Sequence, residues 1–467
     1  MRSANYRVGL EKFLPLVLVF VLALTVAGCA QPPAAPPTAA PAPTAAPVEP
    51  TQAPEAPTAA PVEPTKAPEP AEATEVFKLG VQGPFSGPSA RVGEEFKGSA
   101  TMAFDAVNWT LCGKYKVEPV WIDCQSDPAK GSQAYEQAVV QDKIQAGILN
   151  WHSSVAVSLM DITAKYKVPH FFGFGATEVV NEKFASDPEK YGYWMYKGWP
   201  SPSKLSISYV QALEDAIASG TWTPEKKTVA IYGEDTDWGR SFGGAIKEQL
   251  QAVGWEVVAE EWFPLDQTEF YPLLNKLKDL NPALIAGTST AAPAMSAFIK
   301  QADEVGLQGL IIADGLGWVG EWYDLTGSSS NYVLDQIPGW ATDEGKQFAA
   351  DFEKRFNIEP SPSAAGLSYD GTRFFIALAE DICKQTGGTL NSETIYNFVK
   401  DNVWTGKWAF KDGIVMSNYS ATPETVPDPV VGKGYYIFPV LQYMDGKGNI
   451  VYPPEWAEAK LQGKPAE

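Results

Sequence analysis

Histidine and cysteine are scarce in this chain, and their scarcity argues against two classes of chemistry. Only His152 and His170 occur among the 467 residues, whereas a catalytic serine or cysteine usually needs a base, often histidine, beside it. His152 adjoins Ser153, but sequence neighbours at a helix start point in different directions, so the pair is not a catalytic triad. Nucleophile-elbow, Walker-loop and His/Cys metal-binding motifs are also lacking. We therefore predict a protein that is not an enzyme and has no cofactor and no metal.

Basic residues are also few relative to acidic residues. The chain has 36 Lys and Arg residues against 56 Asp and Glu residues, a net charge of −20, and no basic stripe. Nucleic-acid backbones are bound by clustered Lys and Arg side chains. We therefore expect no nucleic-acid partner, and the acidic surplus is accounted for by solubility.

The first 28 residues have the features of a lipoprotein signal peptide. Three basic residues precede an apolar run over residues 13–26, which is shorter than the about 20 residues of a membrane span. The run ends in Val26-Ala-Gly-Cys29, which resembles a bacterial lipobox. The resemblance implies cleavage before Cys29, lipidation of its sulfur, and anchoring to the outer face of the bacterial cytoplasmic membrane. An ordinary cleaved signal with a chance cysteine is the alternative.

Residues 29–74 follow as the lipidated cysteine and a disordered segment of Ala, Pro, Thr and Glu in recurring blocks. Such a segment has too little apolar bulk to pack, and its prolines favour an extended conformation. It is either a tether that lets the body move near a membrane partner or a passive spacer.

From Glu75 the pattern changes to strands that alternate with amphipathic helices. Predicted strands lie at 77–82, 116–123, 147–151, 169–174, 228–232, 256–263, 283–287 and 310–313. Predicted helices lie at 92–108, 130–145, 155–165, 203–218, 241–253, 271–280, 293–305, 342–356, 369–384 and 392–399, with a hairpin around 445–448. Two series of this kind predict an α/β protein with parallel sheets covered on both faces.

We therefore predict two Rossmann-like, doubly wound lobes joined by three hinge crossovers. The N-terminal lobe is expected at 75–198 and 339–404, and the C-terminal lobe at 199–338 and 405–456, with a tail at 457–467. The crossovers are expected near 198–201, 337–341 and 403–410.

Ligands of doubly wound sheets bind beyond the carboxyl ends of the strands. That rule selects four loops as the candidate site, at 83–88, 151–154, 173–177 and 314–318.

With these loops located, residues 75–455 resemble the branched-chain amino-acid-binding proteins, the type I solute-binding receptors of ABC importers. Each marker is short, but their order and spacing together are specific. The markers are Gly83-Pro-Phe-Ser-Gly-Pro-Ser89, Gly93-Glu-Glu-Phe-Lys-Gly98, Asp127-Pro128, His152-Ser-Ser154, Phe174-Gly-Ala-Thr177, Tyr232-Gly-Glu-Asp235, Val305-Gly-Leu307 and Ala313-Asp-Gly315.

The resemblance implies the type I periplasmic binding protein fold, with a site for a zwitterion between the lobes. Ser153, at a helix start, would hold the ligand carboxylate, which suits the positive end of a helix. Gly175, Thr177 and Asp314 would hold the ammonium group, and Trp238 would close over the ligand.

Further candidate contacts come from the same loops, and some positions depart from the family pattern. Val92 and Ala291-Ala292 stand where the family often has tyrosines, and His152 where cysteine is common. The tryptophans make the site more aromatic, so an aromatic amino acid or an amide is as well suited as leucine. The additional candidates are Trp151, Ser154, His152, Phe85, Ser86 and Trp318.

The predicted function is delivery of a small polar solute to ABC permease subunits by closure of the cleft. A ligand sensor that does not transport, or an enzyme acting on amides, is the alternative.

Three cysteines remain besides Cys29. Cys112 and Cys124 flank an extended segment that would separate them by about 30 Å, which is too far for a bridge. A Cys112–Cys383 disulfide and three free thiols both remain open.

Overall fold

The computed structural model describes residues 73–340 and 342–465. The predicted signal peptide, Cys29 and the segment up to residue 72 lie outside the described residues. No helix within the described ranges combines the length and the apolar character needed to cross a membrane.

The first sheet has six strands in the order β2-β3-β1-β4-β5-β6, parallel except for β2. Central strand β1 is buried almost continuously from residue 79 to its end, as expected for a strand covered on both faces. The bounds are β1 Glu75–Gly83, β2 Thr110–Leu111, β3 Tyr115–Asp123, β4 Ala146–Ile148, β5 His170–Gly173 and β6 Trp194–Lys197.

The second sheet has seven strands in the order β13-β12-β11-β10-β9-β7-β8. Strands β12 and β13 are antiparallel to their neighbours and the other pairs are parallel. The bounds are β7 Thr228–Glu234, β8 Glu256–Phe263, β9 Leu284–Thr288, β10 Leu310–Asp314, β11 Leu334–Gln336, β12 Val440–Met444 and β13 Lys447–Tyr452. The predicted two-lobed α/β fold is confirmed.

Helices fill the connections between strands. Several begin with a side chain that caps the first turn, such as Asp127, Thr236 and Thr342. The helices are α1 Ala90–Asp105, α2 Pro128–Gln137, α3 Ser153–Tyr166, α4 Glu178–Ser186, α5 Pro188–Tyr191, α6 Pro202–Leu205, α7 Ile207–Ser219, α8 Asp237–Ala252, α9 Tyr271–Leu280, α10 Ala292–Glu304, α11 Trp322–Thr326, α12 Asp343–Phe356, α13 Leu367–Thr386 and α14 Ser392–Phe398.

The chain passes between the sheets three times. It leaves the first sheet after β6 and leaves the second after β11, and α13 then packs on the first sheet. The final return, to β12, lies further along the chain than the expected 403–410. Trp408 contacts Phe374 and Asp381 of α13, and Tyr419 packs on Phe172. These aromatic contacts keep the segment on the first lobe.

A buried ion pair ties the first connection to this late segment. Lys197, at the end of β6, lies 2.7 Å from Asp428, and neither side chain is exposed. Ser201 donates its hydroxyl to the same carboxylate at 2.7 Å. Burial alone would raise the pKa of Asp428, but the charges of Lys197 and Lys204 outweigh it and lower the pKa. Lys204 lies 2.8 Å from the carboxylate.

Cys112 and Cys383 form a disulfide, which links the end of β2 to α13 across 271 residues of sequence. Cys124 is buried and unbridged.

Candidate functional site

The carboxyl ends of both sheets face one another and supply the candidate site. Strand β4 leads through Leu149–His152 into α3, and β5 leads through 174–177 into α4. From the second sheet, β7 leads into α8, and the ends of β9 and β10 lie beside it. This is the arrangement in which open parallel sheets bind ligands.

The two lobes touch across this region. Trp151 donates its indole N–H to the carbonyl of Thr290 at 3.2 Å, and Ser89 donates its hydroxyl to the same oxygen at 2.8 Å. The backbone N–H of Asp237 donates to Ser154 Oγ at 3.1 Å. The structure is therefore a closed arrangement of the cleft.

A small cavity of about 20 Å³ remains between the lobes, enough for about one water molecule. None of its lining side chains is an acid or a base. The lining residues are Trp151, Ser153, Phe174, Trp199, Trp238, Thr290 and Trp318.

The structure brings most of the first-lobe candidates together around Ser153, the first residue of α3. The hydroxyl oxygen of Ser153 accepts the backbone N–H of Thr177 at 3.3 Å. Gly175 lies against the same turn, where an added Cβ would fall 2.3 Å from the Cβ of Ala156. Trp151 lines the cavity. Ser153, Thr177 and Gly175 thus lie close together, and of the three only Ser153 lines the cavity.

His152 is buried directly before α3. Its Nδ1 lies 3.3 Å from the hydroxyl of Thr290 in the other lobe, and its Nε2 has no partner. Burial lowers the pKa of His152 to about 3, so the imidazole is neutral and contributes a hydrogen bond rather than a charge.

Trp238 and Trp318 of the second lobe also line the cavity. The indole N–H of Trp238 donates to the hydroxyl of Thr288 at 2.8 Å, and that hydroxyl donates to the carbonyl of Asp314 at 2.7 Å. Trp238 is therefore fixed by the ends of β9 and β10.

Asp314 lies behind this layer and not among the lining residues. Its carboxyl group accepts the hydroxyl of Tyr209 at 2.9 Å. Burial, and then the nearby Asp335, raise the pKa of Asp314 well above its usual value. Burial therefore favours the protonated form of Asp314, whose carboxyl group contacts Tyr209.

Phe85 and Ser86 lie away from the cavity. Ser86 donates its hydroxyl to Asp123 at 2.6 Å, and the ring of Phe85 lies edge-on to Trp121 with centroids 5.7 Å apart. The loop after β1 therefore contacts the end of β3 in this closed structure.

Two lining residues, Thr290 and Trp199, lie outside the loops selected from the sequence, and Phe174 lies in a selected loop but was not named as a contact. Phe174 lies one residue beyond β5, Thr290 two residues beyond β9, and Trp199 in the first connection between the lobes. The rule that selected the other loops would have found Thr290, because it too follows the carboxyl end of a parallel strand. Trp199 has no comparable signal.

Thr290 is fixed by a buried acid. Its hydroxyl donates to Glu234, at the end of β7, at 2.8 Å, and its backbone N–H donates to the same carboxylate. Thr236 also donates to Glu234 at 2.7 Å. Because Glu234 is surrounded by these donors, it positions Thr290 and does not line the cavity.

No group of three or more His, Cys, Asp and Glu side chains that could hold a metal occurs within 73–340 and 342–465. The lining side chains are aromatic rings and hydroxyl groups. The arrangement is suited to noncovalent binding of a small molecule.

Comparisons with known proteins agree with this architecture. The family described as periplasmic binding protein matches residues 76–412. A curated relative, "Leu/Ile/Val-binding protein homolog 8" of Brucella abortus, is 24% identical over 409 residues, covering 83% of this chain and 93% of the relative.

Solved structures show the same fold. A solute-binding protein of an ABC transporter from Rhodopseudomonas palustris, in complex with 3,4-dihydroxybenzoic acid, has a TM-score of 0.64 at 21% identity and covers 80% of this chain and 95% of its own. The branched-chain amino acid transporter substrate-binding protein LivJ of Streptococcus pneumoniae, in complex with isoleucine, has a TM-score of 0.63 at 19% identity, with coverage of 80% and 98%. The chain belongs to the periplasmic binding protein family, and its similarity to the branched-chain amino-acid-binding proteins is confirmed.

Proposed function

We propose that this protein binds a small organic acid with an aromatic or bulky apolar body between its lobes and delivers it to an ABC permease. Aromatic and branched amino acids and the corresponding acids without an amine form the ligand class. The observation that carries the proposal is the pairing of one helix start with a wall of aromatic rings in a single interlobe cavity.

The start of α3 supplies the anion-binding end. The first backbone hydrogen bond of this helix runs from Ala156 to the carbonyl of His152, so the N–H groups of residues 153–155 are not used within the helix. The hydroxyl oxygen of Ser153 accepts from Thr177, which leaves its own proton free to donate. Helix-start N–H groups and a hydroxyl favour a carboxylate.

Aromatic rings supply the other end. Trp151, Phe174, Trp199, Trp238 and Trp318 line the cavity, and the indole N–H groups of Trp199 and Trp318 are buried without a partner. Rings of this kind bind planar or apolar bodies through edge and face contacts. The unpaired indole N–H of Trp199 further favours a ligand that carries a hydrogen-bond acceptor.

The lining offers no carboxylate to an ammonium group. Asp314 contacts Tyr209, and burial favours its protonated form. A buried ammonium without an anionic partner is costly. We therefore expect 3-phenylpropanoate to bind more tightly than phenylalanine, which differs from it only by the amine. The structural relatives were solved with one ligand of each kind: 3,4-dihydroxybenzoic acid has no amine, and isoleucine has one.

Calorimetry with this ligand pair tests the proposal, with Ser153→Ala as the site variant. Loss of a hydrogen bond to a charged group should cost about 1.5–3 kcal/mol, which corresponds to roughly 10- to 150-fold in affinity. Ser158→Ala is the matched control, since Ser158 lies on the same helix and its hydroxyl bonds only to backbone carbonyls. Equal affinities for Ser153→Ala and Ser158→Ala would rule out this carboxylate site.

The location and the partner belong to the same proposal. Cys29, within Val26-Ala-Gly-Cys29, would carry the lipid that holds the protein at the outer face of the cytoplasmic membrane. The permease would then bind the closed form. Expression of Cys29→Ser in bacterial cells tests the anchor. The variant should leave the membrane fraction, and a variant that stays there would contradict it.

A further inference from the structure

Trp318 lines the interlobe cavity and packs against the three other tryptophans there. Its ring centroid lies 5.3 Å from that of Trp151 and 5.7 Å from that of Trp199, nearly perpendicular to both. The ring centroid of Trp238 lies 5.8 Å away. Trp318 is 4% exposed, so it is enclosed by tryptophans drawn from both lobes and from the connection between them.

With this side chain in place, the site has room for little else. The remaining space of about 20 Å³ holds about one water molecule. The lobes are in contact through Trp151 and Thr290, so this is the space left in the closed form. A solute the size of an amino acid therefore cannot share the closed cavity with the Trp318 indole.

The turn that carries Trp318 is built to place it there. Gly315 has a φ of +107°, and an added Cβ would lie 2.6 Å from the Trp318 ring, so only glycine fits. Asp335 accepts the backbone N–H groups of Gly315 and Gly317 at 2.9 and 2.7 Å. The turn is thus fixed at both glycines, while the indole extends from it into the cleft.

One feature favours displacement of the indole. Trp318 Nε1 is buried and has no hydrogen-bond partner, and an unpaired buried donor destabilises the conformation that contains it. A ligand that moves the ring out, or supplies an acceptor to it, removes this penalty.

We propose that Trp318 is the specificity-determining residue of the site, an intramolecular plug that holds the place of a planar aromatic acid and is displaced by it. This inference rests on the proposed function and narrows its ligand class to acids whose ring takes the position of the indole. Trp318 acts by being displaced, and this separates it from Trp151 and Trp238, which remain as walls.

Affinities of wild-type and variant proteins for indole-3-propanoate, measured by calorimetry, test the plug. Trp318→Ala should bind this acid at least ten-fold more tightly than wild type, because no side chain has to leave, and Trp318→Phe should be intermediate. Trp222→Ala is the control, since Trp222 stacks on Trp255 within the second lobe and does not line the cavity. Weaker or unchanged binding by Trp318→Ala would overturn the proposal.

A second measurement separates this inference from the proposed function. Free indole has no carboxylate, so its binding does not depend on Ser153. Indole should raise the melting temperature of Trp318→Ala, leave that of wild type unchanged, and compete with indole-3-propanoate. If indole binds but no acid does, the plug stands and the carboxylate function fails.

The converse outcomes are equally decisive. If acids bind wild type more tightly than the variants, the function stands and the plug fails. If folded Trp318→Ala binds neither indole nor acids, both fail. Circular dichroism monitors folding, and if Trp318→Ala is unfolded, Trp318→Phe carries the same comparison, since it retains a smaller ring.

Discussion

Arg91 of α1 forms a two-point ion pair with Glu321 at the start of α11, across the two lobes. Its Nη2 lies 2.6 Å from Glu321 Oε2, and its Nε contacts the other carboxylate oxygen. The same guanidinium reaches Glu95 on its own helix at 3.0 Å and the carbonyl of Glu359 at 2.8 Å. Because the two side chains belong to different lobes, the pair exists only while the lobes are close.

Glu321→Ala should open the cleft more often without unfolding either lobe. The two side chains are about a quarter exposed, so loss of the pair should destabilise the closed form by about 1 kcal/mol. Ligand should then dissociate roughly five-fold faster, which stopped-flow measurements can detect. Glu260→Ala is the control because its pair with Lys247 lies within the second lobe. An equal change in both variants would show that Glu321 does not act through closure.

Glu95 should make folding stability depend on pH. It is fully buried, and burial raises its pKa from 4.5 to about 7 despite Arg91 and the bonds from Ser361. The folded protein therefore holds this proton more tightly than the unfolded chain. The resulting stabilisation is complete below about pH 4.5 and is lost as the pH rises through 7.

Urea unfolding at pH 4.5 and pH 7.5 tests this titration. Glu95→Gln should lose up to about 3 kcal/mol of the wild-type difference between the two pH values, since an amide does not titrate. Glu94→Gln, an exposed neighbour on the same helix, should keep the difference. If Glu95→Gln keeps the wild-type difference in stability between the two pH values, other acidic groups are responsible for that difference.

Most strands and helices could be predicted because local pattern determines them, although β6 and β11 were not among the predicted strands. The carboxyl-end rule selected the loops of Ser153, Trp151 and Trp318, whereas Trp238 came from the family resemblance, and all four line one cavity. Each of these residues follows the end of a buried strand within five residues, so closeness in sequence carries the spatial information.

The features that could not be predicted from the sequence depend on contacts between residues far apart in the chain. The carboxyl group of Asp314 bonds to Tyr209, 105 residues away, and no local pattern predicts that partner. The late return to the second sheet is equally nonlocal, because the segment before it is held by Asp370, which accepts the N–H groups of Ile414 and Val415.

Reduction of the Cys112–Cys383 disulfide should destabilise the first lobe. The bond closes a loop of 271 residues, and a disulfide closing a long loop typically contributes about 2–5 kcal/mol. Cys383→Ser should lower the denaturation midpoint to that of the reduced wild type and abolish its response to dithiothreitol. Cys124→Ser keeps the bridge and should retain the response. A wild type that is insensitive to reductant would contradict the prediction.

The close approach at Gly175 should make the site intolerant of a single added methyl group. In Gly175→Ala the new Cβ would lie 2.3 Å from the Cβ of Ala156 and 3.3 Å from the Cα of Ser153, so the start of α3 has to shift. Displacing the Ser153 hydroxyl should weaken ligand binding at least ten-fold, and overpacking typically costs about 1–3 kcal/mol of stability.

Gly244→Ala provides the matched comparison. Gly244 lies within α8, and an added Cβ there meets nothing within 4 Å, so the change should be neutral or stabilise the helix by about 0.5–1 kcal/mol. Calorimetry and thermal unfolding of both variants separate a steric effect at the site from the general effect of replacing glycine. If Gly175→Ala binds ligand as tightly as Gly244→Ala, the start of α3 does not hold the ligand, because the only change at that corner is the displacement of its first turn.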